Sequence, residues 1–206
     1  MRSLFLLTTI LLLGFNFYGY SQNDTINDVR NFDIKVAGVI VGEMKATKKH
    51  EDTITHYTIN SKVKFWFFVT VAIEHTAEVL YYNDKLIYSK STSVTNNGTY
   101  LSTIIWNKDK YDVEVNTYDY VNKRSINKVI KHNVATLYFE EPKAVKELLL
   151  DSFGEMATVT TTKVGTYLVE VSGKKNYFEY KDGKLVLANV HSKFKNYNVV
   201  ARAYDD

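Results

Sequence analysis

Val63-Lys64-Phe65-Trp66-Phe67-Phe68-Val69-Thr70-Val71-Ala72-Ile73-Glu74-His75-Thr76-Ala77-Glu78-Val79-Leu80-Tyr81 is the stretch that decides the fold class. Val63, Phe65, Phe67, Val69, Val71, Ile73, Ala77, Val79 and Tyr81 share one parity, and only His75 interrupts that apolar face. Period-two alternation is the mark of a strand with one buried face. The opposite face carries Lys64, Trp66, Phe68, Thr70, Glu74 and Glu78. Ordinary strands run to about 5–6 residues, so a single strand from Val63 to Tyr81 has to bend or coil. A strongly curved sheet is expected, as a β-roll or a partial, open barrel.

Outward from this stretch the same period persists. Thr53, Thr55, Tyr57, Ile59 and Ser61 alternate before it, and so do Phe32, Ile34 and Val36. After Gly38 the apolar positions change parity to Val39 and Val41, which marks a tight turn or bulge. Downstream, Asn83-Asp84, Asn96-Asn97-Gly98, Asn107-Lys108-Asp109, Gly165, Ser172-Gly173 and Asp182-Gly183 punctuate further alternating runs. Asn, Asp and Gly tolerate positive φ, so these are hairpin signals. Asn133–Tyr138 reads as a short strand. One short helix is expected near residues 142–151. Pro142 follows two acids there, Ala144, Val145, Leu148 and Leu149 fall at helical spacing, and Gly154 can end the element. The fold class is therefore all-β, mainly antiparallel.

The chain of 206 residues is long enough for one domain with a full core. Residues 1–21 read as a signal peptide, with Arg2 as the positive start, Leu4–Phe15 as the apolar segment and a cut before Gln22. Residues 22–30 read as a flexible polar segment and 31–206 as a single β domain. Export to the periplasm or the extracellular space follows. Cysteine is absent, which excludes thiol nucleophiles, zinc–thiolate sites and a lipid-modified cysteine. After the leader no apolar stretch is long enough for a transmembrane helix, so none is expected in the mature chain. The basic residues, 26 against 23 acidic, are scattered rather than clustered, so no nucleic-acid partner is expected.

No nucleophile elbow, phosphate-binding glycine loop or calcium loop occurs, and neither a catalytic residue nor a cofactor is expected. His50-Glu51-Asp52 with His56 is the densest cluster of metal-ligating types, but its spacing matches no zinc pattern, so it reads as a solvated hairpin turn and no metal is expected. His75 stands alone on an apolar face. It could be a ligand or base poised by burial, or a structural histidine bonded within the core; His191 poses the same choice. Phe65, Phe67, Val69, Val71 and His75 are the candidate lining of an apolar groove. Trp66 and Phe68, facing the other way, are the candidate interaction surface.

Several segments together resemble an uncharacterised family of exported proteins of Bacteroidota known as a domain of unknown function. They are Ser21-Gln22 at the leader's end, Phe32-Asp33-Ile34-Lys35-Val36 with Gly38 and Ile40-x-Gly42, Leu137-Tyr138-Phe139-Glu140-Glu141-Pro142, and Asn176-Tyr177-Phe178-x-Tyr180-x-x-Gly183. The resemblance implies a curved antiparallel β structure in the cell envelope and assigns no catalytic residue. Three functions are carried forward. The first is a non-enzymatic binding or carrier module for an apolar small molecule or lipid. The second is a factor that binds another envelope protein. The third is a glycan hydrolase working through His75 or distant acids.

Overall fold

The computed structural model describes residues 26–67, 69–116, 121–191 and 196–203. The expected leader and Phe68 lie outside the described residues. The first eight strands are β1 (Ile26–Val36), β2 (Val39–Glu51), β3 (Ile54–Phe67), β4 (Val69–Tyr82), β5 (Lys85–Thr95), β6 (Gly98–Asn107), β7 (Lys110–Asn116) and β8 (Val121–Ile126). After a connecting segment come β9 (Glu147–Leu150), β10 (Glu155–Lys163), β11 (Thr166–Val171), β12 (Lys174–Lys181), β13 (Lys184–Val190) and β14 (Tyr197–Ala201). All belong to one antiparallel sheet in the order β8-β7-β6-β5-β4-β3-β2-β1-β14-β13-β12-β11-β10-β9. Two meanders therefore meet at the β1–β14 ladder, with Ile34 opposite Val199. β8 and β9 are the two edges and do not pair, so the sheet is not closed.

Turn chemistry explains the connections. Ala37-Gly38, Asn83-Asp84, Ser172-Gly173 and Asp182-Gly183 each hold positive φ at both central residues, the twist-compatible two-residue hairpin. The parity change after Gly38 thus marks a turn, and the ladder's irregularity falls nearby at Ile34/Lys35.

The decisive stretch is not one strand but most of a hairpin, with the reversal between Phe67 and Val69. Its register pairs odd with odd: Tyr57 with Val79, Ser61 with His75, Val63 with Ile73, Phe65 with Val71. Parity runs unbroken through such a hairpin, so alternation alone cannot reveal the reversal. The segment expected to be flexible is also strand from Ile26, where β1 lies against Lys49 and His50 of β2.

The sheet curls around its own chain. Between β8 and β9 the backbone crosses the concave face and forms a 3-10 turn over Val134–Tyr138. Ala135–Phe139 are all buried. This plug replaces the short strand expected at Asn133–Tyr138. Residues enclosed on every side have no polar face to alternate with, and Asn133 caps the turn by accepting from the Thr136 amide. The plug packs against Phe32, Tyr57, Val79 and Ile104 from the first meander and Val169, Phe178 and Ala188 from the second, in one core.

The expected helix near 142–151 is absent. Lys143 and Ala144 form a turn, Glu147–Leu150 are strand β9, and Asp151–Phe153 are a single 3-10 turn. Leu148, Leu149 and Leu150 are all buried, which demands cover on both faces rather than one helical stripe. β9 obtains it by pairing with β10 on one side and bridging the plug on the other, where the Leu149 amide donates to the His132 carbonyl at 2.9 Å. Ala144 is exposed.

Buried polar groups fix the plug in place. Asp151 is 1% exposed and accepts from Ser89 Oγ at 2.5 Å and from Asn133 Nδ2 at 3.0 and 2.9 Å. The plug's outgoing carbonyls are met by side chains: Tyr180 Oη donates to Leu137 O at 2.7 Å and Arg30 to Tyr138 O at 2.9 Å. At its entry Tyr111 Oη donates to Leu86 O and accepts from Ile130 N. Side chains also bring the sheet's two edges together. Arg124 of β8 donates to the Gly154 and Phe153 carbonyls and pairs with Glu155 of β10, and Lys128 pairs with Glu147 of β9.

One close approach is decisive for a glycine. A Cβ on Gly42 would lie 2.2 Å from the Lys62 carbonyl oxygen and 2.8 Å from Val63 Cα, both backbone atoms of β3. A Cβ on Gly38 meets nothing within 4 Å, and only its φ of 84° opposes a side chain. Gly42→Ala is expected to cost about 2–3 kcal/mol, as overpacking does. Gly38→Ala is expected to cost about 1 kcal/mol. Urea denaturation of both variants checks this; equal losses would contradict the close-approach argument.

Candidate ligand-binding site

The curved sheet has two ends. At one lie the Ala37-Gly38 turn and the Phe67 and Val69 end of the β3–β4 hairpin; at the other lie the Asn83-Asp84 turn and the point where the plug enters. The second end holds a pocket of about 500 Å³. Four separate pieces of chain build it. β1 and β2 supply Asp28, Lys48 and His50, β3 supplies Thr55 and Tyr57, β4 and its turn supply Tyr81 and Asp84, and the crossing segment supplies Lys131, His132, Thr136 and Glu140.

Strand register places the hydroxyls. Thr55, Tyr57 and Tyr81 have the inward parity of β3 and β4, and Thr55 lies directly opposite both His50 and Tyr81. His50 Nδ1 and Thr55 Oγ1 are 2.8 Å apart. Tyr57 meets Tyr81 edge-on at 5.8 Å between ring centroids and tilts against Phe139 of the plug at 5.5 Å. Two ion pairs brace the rim: Asp28 with Arg30 at 3.0 Å, and Lys48 with Glu140 at 2.5 Å. Asp84 and Lys131 add one charge of each sign.

Burial shapes the titrating groups. It raises the Tyr57 phenol, with Glu140 and Asp84 adding to the effect, and raises the Tyr81 phenol, so both stay neutral. Burial lowers His132 below the usual imidazole range, with Glu140 and Asp84 opposing that drop, so this ring is neutral at pH 7. Tyr81 has one further property: its residue is 3% exposed and its hydroxyl is buried without a hydrogen-bond partner among the described residues. A buried hydroxyl left unpaired costs roughly 1–3 kcal/mol. Tyr81→Phe deletes only that oxygen. The ligand-free variant is therefore expected to be more stable than the parent by about 1 kcal/mol; a loss of stability in thermal unfolding would show that the oxygen is already satisfied.

The residues singled out from the sequence lie elsewhere. Phe65 and Val71 face each other across β3 and β4 and are half-buried. Phe67 and Val69 are the last paired residues of that hairpin. Trp66, on the opposite face, is 73% exposed. These pairs lie past the ladder ends at Gly42–Val63 and Ile73–Thr95, so this end of the hairpin pairs with neither β2 nor β5. His75 is half-buried with Nδ1 2.8 Å from Ser93 Oγ on β5, away from the pocket. His191 is exposed. Of the densest histidine cluster only His50 reaches the pocket. Among the described residues no group of three or more His, Asp or Glu side chains could hold a metal ion.

Burial lowers the His75 pKa from 6.5 to about 4. Between those values the unfolded chain binds more protons than the folded one. His75's contribution is thus complete above about pH 6.5 and is lost as pH falls toward about 4. His132 acts in the same direction. His75→Gln is expected to reduce the proton uptake on unfolding in this window by up to about one proton, read from urea midpoints across pH. An unchanged slope would contradict the burial of the ring.

The comparisons with known proteins agree with the fold. A family model described as "Domain of unknown function (DUF6134)" matches residues 32–202. Among curated proteins none matches this sequence. Among solved structures, the chain is similar to a β-barrel-like protein of another domain of unknown function, DUF1849, from Brucella abortus. The TM-score is 0.52 at 9% identity, over 86% of this chain and 95% of that one. That likeness concerns the fold alone. No helix among the described residues is long and apolar enough to cross a membrane.

Proposed function

This chain belongs to that family of unknown function, and we propose that it is a non-enzymatic binding module for a small polar ligand, exported to the cell envelope. The export part of the reading rests on the leader-like residues 1–21, and the envelope of Bacteroidota on the sequence resemblance. The observation that carries the binding part is a pocket of about 500 Å³ lined by Tyr81, whose buried hydroxyl has no hydrogen-bond partner among the described residues. Ligand sites are concavities of this size with a few convergent polar groups. The apolar-carrier version has less support. The trough an apolar ligand would occupy is filled by Ala135–Phe139 and Leu148–Leu150 of the chain itself, and the pocket is lined by ionisable and hydroxyl side chains.

A second reading is favoured by a separate observation. Trp66 is 73% exposed on a two-stranded stretch that pairs with neither β2 nor β5, a form that is marginally stable alone in water. Docking of another envelope protein there would cover it.

Native mass spectrometry of the chain purified from its own envelope fraction tests the first reading. A water-soluble bound compound, retained by the parent and depleted in Tyr81→Phe, is the expected result. An adduct that organic solvent extracts, or apo protein in every preparation, would contradict it.

A further inference from the structure

We infer that the ligand of this pocket is neutral and rich in hydroxyl groups, a saccharide or polyol. The inference rests on the binding reading above and adds the chemical class. Charge balance is the first argument. The carboxylates of Asp28, Asp84 and Glu140 are matched by Lys48, Lys131 and the guanidinium of Arg30, which holds Asp28. An ion held in a concave site needs an excess of the opposite sign around it, and here neither sign is in excess. An anion would have to draw Lys48 away from Glu140; a cation would have to draw Glu140 away from Lys48.

The mixture of hydrogen-bonding types is the second argument. Carboxylates only accept, ammonium groups only donate, and neutral imidazole and phenol groups do either according to their orientation. Here carboxylates, lysines, imidazoles and phenols surround one space. A hydroxyl both donates and accepts, so a ring of hydroxyls satisfies such a wall without bringing a charge into it. Adjacent hydroxyls can reach the two oxygens of one carboxylate, and Asp84 and Glu140 stand at the rim for this. The Tyr81 hydroxyl, buried and without a partner among the described residues, gains one from either kind of group.

The test is protein-observed NMR of the full chain with two probe sets at matched concentration. The neutral set is glucose, maltose and myo-inositol; the charged set is phosphate, citrate, glycine and putrescine. The expected result is that at least one neutral probe shifts the resonances of Tyr57, Tyr81 and His132. Its affinity should fall about five- to tenfold in Tyr81→Phe, the loss of about one hydrogen bond, and stay unchanged in Trp66→Ala. If charged probes alone shift these resonances, the class is overturned while the binding reading stands. If no probe in either set shifts them, both are overturned. Shifts by a neutral probe that Tyr81→Phe leaves intact would overturn the placement of the ligand against Tyr81.

Discussion

The buried carboxylate of Asp151 is the constraint on which the rest of the structure depends. It lies at the end of β9, accepts from Ser89 on β5 and holds both contacts of the Asn133 side-chain amide at the start of the plug. Three distant parts of the chain are thereby tied at one point: the first meander, the crossing segment and the edge of the second meander. Burial raises the Asp151 pKa, and the bonds from Ser89 and Asn133 oppose that rise. A buried network of this kind is stabilising only when each member is satisfied, and here the donors have nowhere else to turn. Once Asn133 is held, its own oxygen caps the 3-10 turn, and Tyr180, Arg30 and Tyr111 complete the backbone hydrogen bonding of a segment removed from water.

The plug turns an open sheet into a packed domain. Two meanders joined at one ladder would otherwise expose a long apolar concavity. The segment from Ile130 to Leu150 fills that concavity and gives both halves a common core. The edges are managed differently. β9 is tucked inside and bridged to the plug, while β8 carries Lys123 and Arg124, charges that discourage pairing with another chain. The pocket lies where the crossing segment enters, between that segment and Thr55, Tyr57 and Tyr81 of the sheet. Its polar character follows from the crossing segment, which passes from solvent into the core there and brings Lys131, His132 and Glu140 with it.

Much of the sheet was legible in the sequence because hairpins write themselves locally. Asn83-Asp84, Ser172-Gly173 and Asp182-Gly183 sit where positive φ is required, and the alternating runs between them are the strands. The β3–β4 hairpin escaped because its register preserves parity and its apolar face continues without a polar turn. The plug and β9 escaped for a related reason. Ala135–Phe139 and Leu148–Leu150 are buried on every side, so neither helix nor strand periodicity is imprinted on them. Spacing at Ala144, Val145, Leu148 and Leu149 imitated a helical stripe by coincidence. The segments that resemble the family acquire physical reasons in three dimensions: Gly42 admits β3, Tyr180 bonds Leu137, and Phe139 supports Tyr57. The pocket was out of reach, since its residues come from four segments joined only by folding. The one local trace was the presence of Thr55, Tyr57 and Tyr81 on the inward parity of adjacent strands.

The central claim is that the plug is a fixed part of the core and that the trough beneath it does not open. Amide hydrogen exchange of Ile130, Thr136, Phe139 and Leu149 in the native protein tests this most directly. These amides bond to Tyr111, Asn133, Thr136 and His132 respectively. The account predicts that they exchange only through global unfolding, with the same opening free energy as the central ladder residues Ile34 and Val79. Exchange that is markedly faster than the ladder, through a local opening of the plug, would contradict it and return the apolar trough to the list of binding sites.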